Sequence, residues 1–228
     1  MDQNAKPAQS QSHSPSQSQS QSSSQAPSIK STRPLVLATG NRGKVLEFQS
    51  ILAPAGFTLL TPNDIGFTDD VEETGDTFIQ NALIKAKALA AHTGYPVLAD
   101  DSGLEVDAMG GAPGVYSARY AETSLDKAIP QAKANRNKLM QGMAGQSNRS
   151  ARFRCVLCYL SPGLEPAFFF GVCEGEIAQY ESGKGGFGYD PIFIPKGYEK
   201  TFGELSQVLK DQMSHRGLAA SQFLASLT

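Results

Sequence analysis

Two adjacent carboxylates are the first residues in this sequence whose type and spacing suggest chemistry. Asp100 and Asp101 directly follow the apolar run 97–99, which predicts a buried strand, and a serine and a glycine come next. Neighbouring strand residues point to opposite faces, so we expect only one of the two acids to face a site. In open α/β sheets, ligands bind beyond the carboxyl ends of strands, and the pair therefore suggests a site at a strand end. A polar turn with solvated acids fits the same residues.

A second acidic stretch, residues 69–76, places five carboxylates in eight residues. Such a run is usually a solvated loop. Thr77 follows it and is expected to cap a helix over residues 78–92, whose apolar side chains recur at helical spacing. Lys85 and Lys87 lie on this helix, where either side chain is long enough to reach a polyphosphate.

A glycine-bearing turn joins the first predicted strand to the first predicted helix. Residues 34–39 form a near-continuous apolar strand, residues 40–43 form the turn, and a helix begins at Lys44. Backbone N–H groups and the helix dipole make such a turn suitable for phosphate. It is not a Walker P-loop, because Ala38 replaces the first glycine and Val45 replaces the Ser/Thr that would bind Mg²⁺. Lys44 opposes the helix dipole unless a phosphate lies between them; an ordinary turn with an exposed lysine remains the alternative.

Two later stretches carry further candidate ligand groups. Residues 183–191 combine four glycines with Phe187, Tyr189 and Asp190, which predicts a loop whose backbone approaches a ligand and whose rings stack on it. A simple hairpin turn is the alternative. His215 and Arg216 open the last predicted helix, a position where anions or carbonyl oxygens bind.

The remaining pattern predicts the elements that position these groups. We expect a helix over residues 124–143, interrupted or kinked near Pro130, and two long strands over 150–160 and 167–178 joined as an antiparallel hairpin. Helices over 202–213 and 214–227 complete the chain. Strands that alternate with helices and are followed by a hairpin favour a mixed sheet over a purely parallel one.

The composition of the chain separates a tail from a folded domain. In residues 9–25 nearly every position is Ser or Gln, so residues 1–33 are predicted to be a disordered tail that takes no part in the chemistry. This segment resembles neither a signal peptide nor a convincing transit peptide. Residues 34–228 are predicted to form the functional domain.

Bulk properties exclude several classes of function. The 228-residue chain is 40% apolar, has a formal net charge of −2 and lacks a basic run, so no nucleic-acid polymer is expected as a partner. No apolar stretch approaches the length of a membrane span, and no membrane association is expected. Cys155 and Cys158 have CxxC spacing but lie in a predicted strand, where their sulfurs would face opposite sides. With Cys173, they are interpreted as buried core thiols in a reducing compartment.

Six segments, in order along residues 34–228, resemble the inosine/xanthosine triphosphate pyrophosphatase family, house-cleaning nucleotidases that remove deaminated purine nucleotides. They are TGNRGK (39–44), EETG (72–75), ADDSGLEVD (99–107), GGAPGVYSARY (110–120), GGFGYDPIF (185–193) and SHRG (214–217). The resemblance implies Mg²⁺-dependent hydrolysis of ITP, dITP and XTP to the monophosphate and pyrophosphate by a cytoplasmic homodimer. The implied fold is mixed α/β, with a long twisted central sheet flanked by helices and two lobes with a cleft between them.

The resemblance also implies a role for each matching residue. Asp101 is expected to be the base that activates water and to help hold the metal, with Glu73 preferred over Glu72 as its partner ligand. The residues expected to bind phosphate are Thr39, Gly40, Asn41, Arg42, Gly43 and Lys44, with Lys85 and Ser102 nearby. The residues expected to form the nucleotide and base pocket are Phe187, Gly188, Tyr189, Asp190, Lys210, His215 and Arg216.

Two other functions were weighed against this interpretation. A haloacid-dehalogenase-type phosphatase uses a DxD nucleophile after a strand, and the segment 100–102 lacks that spacing. A non-enzymatic nucleotide-binding sensor would keep the glycine turns but would not need the acids. The presence of Glu73 and Asp101 favours an enzyme, and a Mg²⁺-dependent turnover assay would separate the two classes.

Overall fold

The computed structural model of the chain describes residues 32–121 and 129–227. The predicted tail falls outside these residues except at its end, where Arg33 is the first residue of a strand rather than the last residue of the tail. The N-terminal part of the helix expected over residues 124–143 also lies outside them. Among the helices of the described ranges, none combines the length and hydropathy that a membrane-spanning helix requires.

A six-stranded mixed sheet forms the centre of the fold, with the strand order β2-β1-β3-β4-β5-β6. β1 pairs in parallel with β2 and β3, whereas β3–β4, β4–β5 and β5–β6 are antiparallel. The predicted mixed α/β class and the predicted hairpin are therefore confirmed. The strands are β1 Arg33–Leu37, β2 Phe57–Leu60, β3 Val97–Val106, β4 Ser150–Leu160, β5 Ala167–Ile177 and β6 Phe193–Pro195.

Five α-helices flank the sheet in the described residues, and side-chain caps fix where four of them begin. Asn41 caps α1, Thr77 and Gln80 form a capping box at α2, and Ser206 and Ser214 cap α4 and α5. The helix predicted over residues 78–92 is confirmed. The helix predicted over 202–213 begins later, because the Ser206 side chain accepts from the Leu209 N–H and starts the helix there. The helices are α1 Arg42–Leu52, α2 Phe78–His92, α3 Gln131–Gly142, α4 Gln207–Met213 and α5 His215–Ala225.

The acid pair lies in the middle of β3 and not at a strand end, so that prediction is wrong. The antiparallel ladder with β4 continues through the acids, pairing Asp100 with Leu157 and Asp101 with Val156. On the other side of β3, the pairing with β1 ends at Leu37↔Leu98. Next to the acids, therefore, the edge of β3 is no longer paired with β1. The acids lie along this free edge and not at the end of a strand.

Three hydrophobic clusters surround the sheet. One cluster packs α1 and α5 on one face, around Leu37, Leu98 and Leu157, and a second packs α2 on the other face. The third lies around the C-terminal half of β3 and the N-terminal half of β4, and it includes Phe153 and residues of α3. Cys155 and Cys158 belong to clusters on opposite faces, as their strand positions predict.

Candidate active site

A cavity of about 410 Å³ opens beside the free edge of β3. Its walls come from segments that are far apart in the sequence and that meet where β1 ends. The residues predicted for the site that line it are Asn41, Lys44, Glu73, Asp101, Ser102, Phe187, Gly188, Tyr189, Asp190, His215 and Arg216.

Other predicted residues lie behind this lining or away from it. Lys85 and Lys210 do not line the cavity themselves. They bind the carboxylates of Asp101 and Asp190, respectively, which do line it. Glu72 is exposed and does not line the cavity, so the structure favours Glu73 of the two acids. Thr39, Gly40, Arg42 and Gly43 also do not line it.

The carboxylate of Asp101 faces the cavity, whereas Asp100 is fully buried behind it. This confirms that only one acid of the pair faces the site. Lys85 Nζ donates to Asp101 Oδ1 at 2.9 Å, and in the described part of the chain the buried Asp101 Oδ2 has no hydrogen-bond partner. Burial raises the pKa of Asp101 above its ordinary value even though Lys85 acts in the opposite direction. Asp101 thus lines the cavity with a carboxylate of raised proton affinity, one oxygen of which is buried.

Glu73 and Asp101 converge on one cation. Lys85 Nζ lies 2.6 Å from Glu73 Oε1 and 2.9 Å from Asp101 Oδ1, and Arg119 Nη1 donates to Glu73 Oε2 at 3.1 Å. Burial raises the pKa of Glu73, but Lys85 and Arg119 more than offset this and hold it below its ordinary value.

This carboxylate pair fits a magnesium ion in its donor set. Two carboxylates reach a common point, and one of them has a buried oxygen without a partner. Mg²⁺ is typically held by one or two carboxylates together with substrate phosphates and water. Within the described ranges no group of three or more His, Cys, Asp or Glu side chains is placed to hold a metal, so phosphate and water would have to complete the coordination.

The N-terminus of α1 differs from the expected phosphate cradle. Asn41 Oδ1 accepts from the backbone N–H groups of Gly43 at 2.9 Å and Lys44 at 3.3 Å, so the helix cap already occupies these donors. Lys44 Nζ is 2.5 Å from Asp100 Oδ2, and its side chain is 15% exposed. The lysine therefore lines the cavity, and its ammonium group is held by a buried acid.

A buried ion network continues from the acid pair to the C-terminal helices. Glu47 binds both Lys210 Nζ and, at 2.9 Å, Arg216 Nη1. Lys210 also lies 2.5 Å from Asp190 Oδ2, and Arg216 Nη2 donates to Ser102 Oγ at 2.7 Å. The network fixes α1, α5 and the glycine-rich loop relative to β3.

Asp100 holds the other end of this network. Cys155 Sγ donates to Asp100 Oδ1 at 3.1 Å, and Arg216 Nε lies 3.6 Å from Asp100 Oδ2. Burial raises the pKa of Asp100, but Lys44 and Arg216 outweigh it and hold that pKa well below its usual range. Asp100 thus stays ionised and anchors two cations at the cavity wall.

Two rings shape the end of the cavity near α5. The Phe187 ring lies against Lys210 Nζ and Arg216 Cζ, 5.2 and 5.1 Å from its centroid. A Cβ at Gly43 would come within 2.5 Å of this ring, so glycine is needed for the close approach. His215 stacks on Phe153 with centroids 4.6 Å apart, and neither of its ring nitrogens finds a hydrogen-bond partner within residues 32–121 and 129–227. Burial and the nearby Arg216 hold the pKa of His215 well below 6.5, so the imidazole is neutral at pH 7.

The wall opposite the acids contains residues that the sequence analysis missed. Asn135 of α3 accepts from the Ala121 N–H at 2.8 Å and donates to the carbonyl oxygens of Ser117 and Ala118. Arg136 Nη1 donates to Gly188 O at 2.7 Å, which ties the glycine-rich loop to α3. Glu47 and Arg119 were missed as well. Each is a single polar residue in a helix or turn, and nothing in the sequence pattern distinguishes it from a solvated one.

The fold and the lining together define a mixed α/β protein with a ligand cavity of mixed charge at the end of β1. A sequence model of the Ham1 family matches residues 35–226, and the chain belongs to this family. The match begins inside β1 and leaves the serine- and glutamine-rich segment outside it.

Individual relatives and solved structures agree with this assignment. The dITP/XTP pyrophosphatase of Bacillus licheniformis is 45% identical over 197 residues, which is 86% of this chain and 98% of the relative. That of Bacillus subtilis is 47% identical over 183 residues, 79% of this chain and 90% of the relative. The solved structure of the Staphylococcus aureus Ham1 protein superposes with a TM-score of 0.74 at 39% identity and covers 86% of this chain and 98% of its own.

Proposed function

We propose that this chain is a nucleoside triphosphate pyrophosphohydrolase that converts ITP, dITP and XTP to the monophosphate and pyrophosphate, and so keeps these nucleotides out of nucleic acid. The observation that carries the proposal is Asp101, which lines the same cavity as Lys44 and Phe187 and keeps one buried carboxylate oxygen without a hydrogen-bond partner in the described residues. The names of the related dITP/XTP pyrophosphatases support the substrate class.

In the proposed reaction Asp101 acts as a general base. Its partner-free Oδ2 accepts the proton of the attacking water, and its raised pKa makes it a stronger base than an exposed aspartate. Lys85 holds the other oxygen and orients the carboxylate. Lys44 neutralises charge that develops on the polyphosphate, aided by its fixed position against Asp100.

We propose Mg²⁺ as the cofactor, held by Glu73 and Asp101. When bound, the ion polarises phosphate oxygens and lowers the pKa of a coordinated water. The support for this choice is the convergence of two carboxylates on one cation, since Mg²⁺ prefers oxygen ligands.

The base pocket is proposed to lie between Phe187 and α5. Arg216 carries only donors, so it can bond the 6-keto oxygen of hypoxanthine or xanthine but not the 6-amino group of adenine. Arg216 Nη1 and Nη2 each donate once, to Glu47 and Ser102, and Nε lies against the buried Asp100, so a ligand would use the second N–H of a terminal nitrogen. Guanine shares the 6-keto oxygen, so its 2-amino group has to be rejected elsewhere in the pocket.

We further propose that the protein is a homodimer in the cytoplasm. An apolar groove of about 280 Å³ lies between the start of α2 and β5, beside the exposed side chains of Ile79, Phe170 and Val172. This groove supports association of two copies, and Phe170→Glu is expected to convert a dimer to monomers in light scattering. The three buried free thiols support a reducing compartment.

A panel of nucleoside triphosphates tests the proposed activity directly. With Mg²⁺ present, pyrophosphate release is expected to be much faster from ITP, dITP and XTP than from ATP, GTP, CTP or UTP. Omission of Mg²⁺ should abolish turnover. Binding of ITP without any turnover would instead support the nucleotide-binding sensor, and release of inorganic phosphate in place of pyrophosphate would contradict the proposed bond cleavage.

A further inference from the structure

The amino group of Lys85 occupies the point on which the two proposed metal ligands converge. It contacts Glu73 at 2.6 Å and Asp101 at 2.9 Å, and its side chain is only 12% exposed. Without nucleotide, therefore, the carboxylate pair already holds one buried positive charge.

A second cation completes the neutralisation of this pair. Arg119 Nη1 binds the other oxygen of Glu73, and Arg119 Nη2 donates to the Glu73 carbonyl oxygen at 3.4 Å. Two carboxylates thus face two cations, while the nearby Lys44 is neutralised by Asp100. A dication that approached alone would meet no net negative charge and would have to displace an ammonium from two short contacts.

We propose that Lys85 holds the place of the metal in the nucleotide-free protein and transfers from the carboxylates to the triphosphate when metal and nucleotide bind together. This inference rests on the proposed function. A triphosphate brings several negative charges into the cavity, so the arriving Mg²⁺ takes over the carboxylates and the displaced ammonium gains phosphate oxygens as partners. The flexible stem of lysine permits this change of partner without movement of α2.

The exchange has a thermodynamic consequence. Because Lys85 competes with the ion only while no nucleotide is present, the affinity for metal should be low in the free protein and rise when nucleotide binds. By reciprocity the metal should raise the affinity for nucleotide by the same factor. The enzyme would then acquire its metal with the substrate and would not carry it between turnovers.

The test measures metal binding and needs no turnover. Mn²⁺ serves as the probe, titrated into the full chain by electron paramagnetic resonance or calorimetry, with and without a non-hydrolysable α,β-methylene analogue of ITP. For wild-type protein the analogue should tighten Mn²⁺ binding by about tenfold or more, within the usual range for coupled sites. In Lys85→Met without the analogue, Mn²⁺ should bind about tenfold or more tighter than to wild type, because a unit charge at short range has been removed.

Lys87→Met is the matched control, since Lys87 is an exposed residue of the same helix and does not line the cavity. It should bind Mn²⁺ like wild type. If Lys85→Met does not fold, Lys85→Gln replaces it, and the analogue dependence of the wild-type protein decides by itself. Equal Mn²⁺ affinity with and without the analogue, or in Lys85→Met and wild type, overturns the exchange. If Mg²⁺-dependent pyrophosphate release persists alongside that result, the exchange alone is wrong and the proposed function stands.

Discussion

Replacement of Glu47 by Gln tests whether the buried ion network holds the C-terminal helices against α1. Glu47 is buried and binds both Lys210 and Arg216. The change leaves side-chain volume nearly unaltered but removes one negative charge from the interior. Both cations then depend on their other partners, Asp190 for Lys210 and the more distant Asp100 for Arg216.

The expected loss follows from this geometry. Removal of one partner of a buried ion pair typically costs about 3–5 kcal/mol, because a charge is left uncompensated. Lys210 keeps the carboxylate of Asp190 at 2.5 Å, and the Gln side chain can still accept one hydrogen bond. We therefore expect a loss at the lower end of this range, about 3 kcal/mol in the free energy of unfolding.

Equilibrium urea denaturation at pH 7 measures this loss, with Glu199→Gln as the matched control. Glu199 is exposed, so its variant should stay within about 0.5 kcal/mol of wild type. Because Glu47 itself does not line the cavity, the damage should appear as lower stability and a less ordered Arg216. A Glu47→Gln protein as stable as the control would refute the argument that this network carries a substantial share of the stability.

Four further predictions follow from the site. Asp101→Asn should lower turnover of ITP by about 100- to 10,000-fold while nucleotide binding persists, because an amide cannot accept the proton; steady-state kinetics within a few-fold of wild type would reject the base role. Arg216→Ala should cost about 1–3 kcal/mol in kcat/KM for ITP and less for ATP, so their ratio should fall; equal losses would assign Arg216 to phosphate binding or folding. His215→Phe should flatten the dependence of the free energy of unfolding on pH below 6.5. Because the pKa of His215 is lowered in the folded protein, the unfolded chain takes up the proton first, and wild type loses up to about 1.4 kcal/mol of stability per pH unit as the pH falls through that range. Identical slopes for the two proteins in denaturation series at different pH would contradict this. A chain that starts at Thr32 should keep the melting temperature and turnover of the full chain, because the tail is predicted to pack against nothing, whereas a clear drop in either would give the tail a role.

Much of the fold was predictable from local patterns. The helix over 78–92 has a capping residue and an apolar stripe, and the hairpin of β4 and β5 has two long strands around a turn. These features are set by short-range periodicity, which a single sequence shows directly. The alternation of strand side chains likewise predicts that Asp100 and Asp101 face opposite sides of the sheet, as do Cys155 and Cys158.

The position of the site within the sheet could not be read from the sequence. The acids interrupt an apolar run and therefore resemble a strand end, yet β3 continues because β4 pairs with it along its full length. What makes buried acids tolerable there is the arrival of Lys44, Lys85 and Arg216 from three distant helices. The spacing of charged residues along the sequence does not indicate which of them become partners in the folded protein.

By itself the sequence determined the fold class, the family resemblance and the residue types available for chemistry, since these depend on local pattern and on the identity of short segments. Only the tertiary structure decided which groups are free to act. Asn41 caps the helix whose donors were expected to bind phosphate, Glu47 joins two cations, and Lys85 bridges the carboxylates expected to hold metal. In each case the partner that a polar group takes depends on which other groups lie near it in the folded protein. That arrangement is set by packing between segments that are far apart in the chain.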